Sequence, residues 1–148
     1  MAVSFDSRDG TLPDSADIEV TFNTPYGPLA KTQRTGYTFG GWWTGGDSAV
    51  EITSDTKVQI ESNHTLYAEW MANEYTVTFD AQGGLAPDLE NKPLTYGQAY
   101  GTLASTTKTG YTFQCWFTDP TGGVEVTPET TVQITEEQTL YAQWSESV

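Results

Sequence analysis

Thr35-Gly36-Tyr37-Thr38-Phe39-Gly40-Gly41-Trp42-Trp43 is followed, at an offset of 74, by Thr109-Gly110-Tyr111-Thr112-Phe113-Gln114-Cys115-Trp116-Phe117. Each stretch opens on a turn-forming glycine and continues with aromatic and β-branched residues, which predicts a strand. Tyr37, Phe39, Gly41 and Trp43 share one parity, as do Tyr111, Phe113, Cys115 and Phe117. Trp42 and Trp116 have the opposite parity. Either both faces of this strand are covered, or a bulge rotates it.

The same offset holds far beyond these two stretches. Residues 3–70 and 77–144 align without a gap, and 31 of the 68 pairs are identical. Val58-Gln59-Ile60 recurs as Val132-Gln133-Ile134. Thr65-Leu66-Tyr67-Ala68 with Trp70 recurs as Thr139-Leu140-Tyr141-Ala142 with Trp144. A unit of this length exceeds ordinary solenoid repeats. Each copy carries enough aromatic mass for a core of its own. Two sequential domains are expected, 1–72 and 73–148, joined through Met71-Ala72-Asn73-Glu74. A module this small, without disulfides, lies near the lower limit of independent stability.

Within a module the expected order is strand after strand. Tyr75–Asp80 alternates, and Val3–Asp6 is its counterpart. Second strands are expected at Ile18–Phe22 and Pro93–Tyr96, a third after Gly36 and Gly110. Short closing strands are expected at Val58–Ile60 and Leu66–Trp70. Tyr26–Ala30 and Tyr100–Ala104 read as an irregular turn or a short helix, and Gly and Pro weaken the helical reading. The fold class is mainly β, α+β at most.

The chain has 148 residues, with 20 Asp+Glu against 6 Lys+Arg and a formal charge of −14. A nucleic-acid binder needs a basic stripe to release counterions, and six scattered cations supply none. Anionic lipid is disfavoured for the same reason. No stretch approaches 18 consecutive apolar residues, so no membrane insertion is expected. Met1–Asp6 has neither a basic nor an apolar leader segment, so targeting signals are expected elsewhere in a longer protein. One cysteine excludes an internal disulfide and a cysteine zinc site.

The strings Gly110–Phe117 and Thr139–Trp144, with their counterparts in the first copy, resemble the Listeria–Bacteroides repeat family, which includes the B-repeat of Listeria internalin. The family pattern runs Tyr-Thr-Val-Thr-Phe-Asp, Tyr-Gly, Gly-Tyr-Thr-Phe-x-Gly-Trp-Tyr, Leu-Tyr-Ala-x-Trp, and both copies carry it. The resemblance implies a β-grasp-like module, with a mixed or antiparallel sheet and a short helix or turn. It also implies tandem modules on secreted or cell-surface bacterial proteins, serving as stalk and adhesion elements. It brings no catalytic residues. This chain departs from the pattern at Cys115, where the family has Gly, and at Trp43 and Phe117, where it has Tyr.

Candidate chemistry is sparse. His64, in Ser62-Asn63-His64-Thr65, reads as an exposed loop residue, because a general base needs a placed nucleophile and an orienting partner. Cys115 reads as a small, half-buried packing residue without a cationic setting to activate its thiol. Asp6, Asp9 and Asp14, with Asp80 and Asp88, read as solvated loop acids whose spacing does not make a calcium loop. Lys57 has no counterpart in the second copy, which argues against a shared isopeptide cross-link. Trp43 and Phe117 remain as candidate ligand contacts, since exposed aromatics stack on sugar rings or anchor a protein partner. No enzyme activity and no cofactor are expected. The expected role is a stalk or spacer with weak adhesion on the bacterial cell surface. The alternative is a module binding a glycan or a host or cell-surface protein. The oligomeric state is left open.

Overall fold

The computed structural model describes residues 1–147. The chain divides into two compact units, Met1–Met71 and Ala72–Val148. The first holds β1 (Ala2–Asp6), β2 (Asp17–Glu19), β3 (Tyr37–Trp43), β4 (Glu51–Ile52) and β5 (His64–Ala72). The second repeats them as β6 (Glu74–Asp80), β7 (Asn91–Thr95), β8 (Tyr111–Phe117), β9 (Glu125–Val126) and β10 (Gln138–Glu146). The sheet orders are β2-β1-β5-β3-β4 and β7-β6-β10-β8-β9.

Each sheet is mixed. First and last strands lie side by side and parallel, Val3 opposite His64 in one module and Val77 opposite Gln138 in the other. The β1–β2 and β6–β7 pairs are antiparallel in equivalent register, Val3 opposite Ile18 and Val77 opposite Lys92. The outermost strands are short, and β7 carries Pro93, which leaves little edge for a foreign strand to join.

The alternating strand pattern puts one apolar set inside each unit. Val3, Trp42, Val58, Leu66 and Ala68 centre one core; Val77, Trp116, Val132, Leu140 and Ala142 centre the other. Trp42 and Trp116 are each 2% exposed. A bulge explains their parity. In the second module Cys115 faces Gln143 and Phe113 faces Trp144, so Gln114 has no partner across the ladder. That extra residue rotates the strand. Phe113 and Trp116, three apart, therefore reach the same side and pack ring to ring at 5.5 Å. Phe39 and Trp42 do the same at 5.4 Å, with Gly41 between them at φ +101°.

Several expectations need correction. No helix is present among the described residues, so of the two readings, short helix or irregular turn, the turn is the one found, and the β-grasp detail gains no support. Tyr26–Ala30 and Tyr100–Ala104 are irregular. Gly27 and Gly101 take positive φ there, and Tyr26 N–H and Tyr100 N–H donate to Thr56 O and Thr130 O, across to the segment before Val58 or Val132. Val58–Ile60 is not a strand. Its valine is fully buried and exchanges backbone hydrogen bonds with Asn23 and Thr24, beside the isolated Lys57–Pro25 bridge, without joining a named strand. The second strand ends at Glu19 rather than Phe22, because Thr21–Thr24 folds into a turn. The two-residue strands β4 and β9 were not foreseen. No helix of the structure is long and apolar enough to cross a membrane.

Candidate functional site

The polar atoms that could do chemistry are mostly committed to the fold. Trp42 Nε1 donates to Ala30 O at 2.8 Å and Trp116 Nε1 to Ala104 O at 2.9 Å, which fastens each irregular segment over the core. Trp70 Nε1 and Trp144 Nε1 donate to Ser7 O and Ala81 O, both at 2.8 Å. Four of the five loop acids are occupied too. Asp6 and Asp80 accept backbone N–H groups from Arg8 and Gln82. Asp14 and Asp88 accept from Lys31 and Ser105. These are turn and loop clasps. No group of three or more His, Cys, Asp or Glu residues among the described residues is arranged to hold a metal ion.

His64 is not an exposed loop residue. It opens β5, is half-buried, and lies opposite Val3. Its Nε2 is 2.8 Å from Tyr26 Oη, and its Nδ1 is 2.8 Å from Ser62 O. A carbonyl can only accept, so Nδ1 carries a proton, and in the neutral ring Nε2 is then the acceptor for the tyrosine. Tyr100 Oη donates to Gln138 Oε1 at 2.6 Å at the equivalent place. Burial pushes both tyrosine hydroxyls above their usual range, and at Tyr100 the Gln138 bond opposes that in part. The pair is a structural tie made with two different acceptors, which the Tyr26/Tyr100 identity could have suggested.

Cys115 is half-buried on the bulge, and its thiol donates to Glu125 Oε1 at 2.8 Å. That bond, then burial, then the carboxylate's charge push the thiol pKa above its ordinary value. The thiol is held in its protonated, poorly nucleophilic form.

Trp43 and Phe117 fall at equivalent positions in the last residue of β3 and β8, and both are half-buried. Trp43 lines a shallow surface hollow of about 390 Å³ with Gly40, Ala49, Glu69, Trp70 and Met71. Its indole N–H donates to Gly40 O at 3.1 Å, which leaves the ring face as its means of contact. Phe117 sits opposite Tyr141 as a cross-strand aromatic pair. Two other hollows hold Cys115 in the second module and Tyr26 in the first, and none of the three occupies the position of another in the repeat.

Duplicated sheets with separate cores, structurally committed tryptophans and no shared reactive constellation define a tandem pair of small β repeat modules. Comparison with known proteins then gives the family. The profile of the Listeria-Bacteroides repeat domain matches residues 2–69 and again 75–143. The chain belongs to that family and contains two copies of its module. It is 31% identical over 144 residues to a protein named putative membrane protein of Evansella cellulosilytica. A protein named putative Gly-rich membrane protein of the same organism is 27% identical over 147 residues. Internalin H of Listeria monocytogenes is 33% identical over 120 residues. The matches cover 97%, 99% and 81% of this chain but only 21%, 16% and 21% of those relatives. The chain thus spans about a fifth of the length of the curated relatives it matches.

Proposed function

We propose that the pair is a non-catalytic spacer on a bacterial cell surface, holding another domain of a longer protein away from the cell. The observation that carries this is the kind of residue kept in both copies. Val3/Val77, Trp42/Trp116, Val58/Val132 and Leu66/Leu140 are core, and Trp70/Trp144 ties a loop to the last strand. What repeats is the means of folding. The surface location rests on the relatives, which carry membrane-protein and internalin names. A spacer needs repetition and units that fold on their own; the duplicated module and a separate apolar cluster in each unit support that reading.

The test is replacement in the full-length protein displayed on cells. Deleting residues 1–147 is expected to reduce binding by the domain beyond, and an unrelated folded pair of equal length is expected to restore it. Failure of the substitute pair would show that these surfaces themselves make the contact.

That outcome belongs to the second reading, a binding module for a glycan or a host or cell-surface protein. It is favoured by one observation, the half-buried Trp43 in its hollow. A glycan array with Trp43→Ala as control separates the two, since reproducible binding that is lost with the indole supports this second reading.

A further inference from the structure

The first and last strands of each module are neighbours and parallel. Val3, Ser4, Phe5 and Asp6 pair with His64, Thr65, Leu66 and Tyr67; Val77 to Asp80 pair with Gln138 to Tyr141. In a tandem array the chain enters a module at the start of the first strand and leaves at the end of the last. Tension along the chain therefore draws these two strands past each other along their common axis. From this geometry we infer that each module is a load-bearing clamp, built to resist pulling from its two ends.

The physical basis is how load is shared. When paired strands are drawn apart from the same end, the ladder opens one bond at a time, and each bond is worth only about 1 kcal/mol net. Drawn lengthwise, all bonds between the strands are strained together and must fail together. Forced unfolding is governed by the rate of that failure rather than by equilibrium stability.

Side chains extend the clamp past the ladder. Trp70 and Trp144, near the exit of the last strand, hold the carbonyls of Ser7 and Ala81, just beyond the first strand. The next residue adds a second tie in both modules by different means. Arg8 lies 3.6 Å from Glu69 and stacks 4.8 Å above Tyr67, both on β5. Its counterpart Gln82 donates to Ala142 O on β10 at 2.7 Å. In the first module Asn63 Oδ1 also accepts Ala2 N–H at 2.8 Å, at the opposite end of the pair. Two chemistries at one repeat position reach the same strand, which a merely solvated loop would not need.

The inference rests on the spacer reading for its use on a cell. The measurement reads the fold alone, so it can fail while the replacement test succeeds, and the reverse. The full chain, in a Cys115→Ala background, is held by handles at its two ends and stretched in a single-molecule force instrument. Two rupture events are expected, each releasing about 24 nm for roughly seventy residues. The same chain is then held at its N-terminus and at Glu61→Cys, an exposed site beside the start of β5, so that β1 and β5 are peeled from one end. Ser62→Cys serves if Glu61→Cys folds poorly. The first module is expected to rupture at a force lower by roughly threefold, because four residue pairs no longer share the load. Equal rupture forces in the two geometries would overturn the clamp.

Discussion

At Gly10 and Gly84 a single missing carbon lets an indole come close against the loop. A Cβ at Gly10 would stand 2.5 Å from Trp70 Cζ2 and 2.8 Å from Thr32 Oγ1; at Gly84 it would stand 2.6 Å from Trp144 Cζ2 and 2.9 Å from Thr107 O. Neither ring can slide away cheaply, because its N–H is spent on Ser7 O or Ala81 O. Gly10→Ala and Gly84→Ala are each expected to cost about 2 kcal/mol, the usual scale of overpacking, read from urea unfolding of the affected module. An unchanged midpoint would mean that the indole is not fixed by its carbonyl. Cys115 allows a second test at this scale. Its thiol pKa is raised by the bond to Glu125, by burial and by the carboxylate charge. The native state therefore holds this proton more tightly than the unfolded chain does. The resulting stabilisation is complete below the unfolded pKa and is lost as pH rises through the folded one. Alkylation by iodoacetamide at pH 8 is expected to run slower in the native protein than in urea. Glu125→Gln is expected to speed the native reaction, since it removes the bond and the charge that favour the protonated thiol.

At the level of elements, the bulge in β8 and the equivalent corner of β3 show what the sequence could and could not disclose. The parity conflict of Trp42 and Trp116 was legible, but the sequence left covered faces and a bulge as alternatives, and the register of β8 against β10 decides for the bulge. The two modules make that corner differently. Gly41 uses φ +101°, whereas the non-glycine residues with positive φ among the described residues are Arg8, Asp9, Asn23 and Gln82, not Cys115. Gly41→Cys is therefore expected to destabilise the first module by about 1–2 kcal/mol through backbone strain. The reverse change, Cys115→Gly, loses the thiol bond and some chain stiffness, about 1 kcal/mol. Thermal unfolding of the two variants should show the larger shift for Gly41→Cys. The long strands were legible because a strand with one buried face must alternate, and five or more residues are enough to display that period. Val58–Ile60 carries the same apolar spacing, yet its Val58 is held by Asn23 and Thr24 in the crossing segment rather than by a neighbouring strand. Alternation reports which side chains go inside and not what the backbone pairs with. Strands β4 and β9 are two residues long, too short to leave a period. The role of His64 was hidden for a related reason. Its partner Tyr26 lies 38 residues away, and only the fold brings the two rings together.

Across the whole molecule the unusual quantity is charge. Residues 1–71 hold ten carboxylates and four cations, and residues 72–148 hold ten and two, for formal charges of −6 and −8. The cations do little to neutralise them. Arg34 stacks on Tyr37 and Lys108 on Tyr111, while Lys92 donates to Tyr100 O and Thr102 O. The one side-chain ion pair between described residues is Arg8–Glu69, at half-exposed positions where such a pair contributes little. Self-repulsion is thus left standing in both modules and is larger in the second. Each unit nevertheless has its own apolar cluster, with no residue shared between the two. Residues 1–72 and 73–148, expressed separately, are therefore expected to unfold cooperatively, each around its own tryptophans. Salt supplies the discriminating measurement, because the Debye length falls from about 30 Å at 0.01 M to about 3 Å at 1 M and repulsion between exposed carboxylates fades with it. Both isolated halves should melt at higher temperature in 1 M than in 0.01 M sodium chloride. The gain should be greater for residues 73–148, where the charge is higher and both lysines are already engaged. A half that gave no cooperative transition at either salt concentration would show that the two cores depend on each other. A larger gain in the first half would show that local pairing, rather than net charge, sets the electrostatic cost.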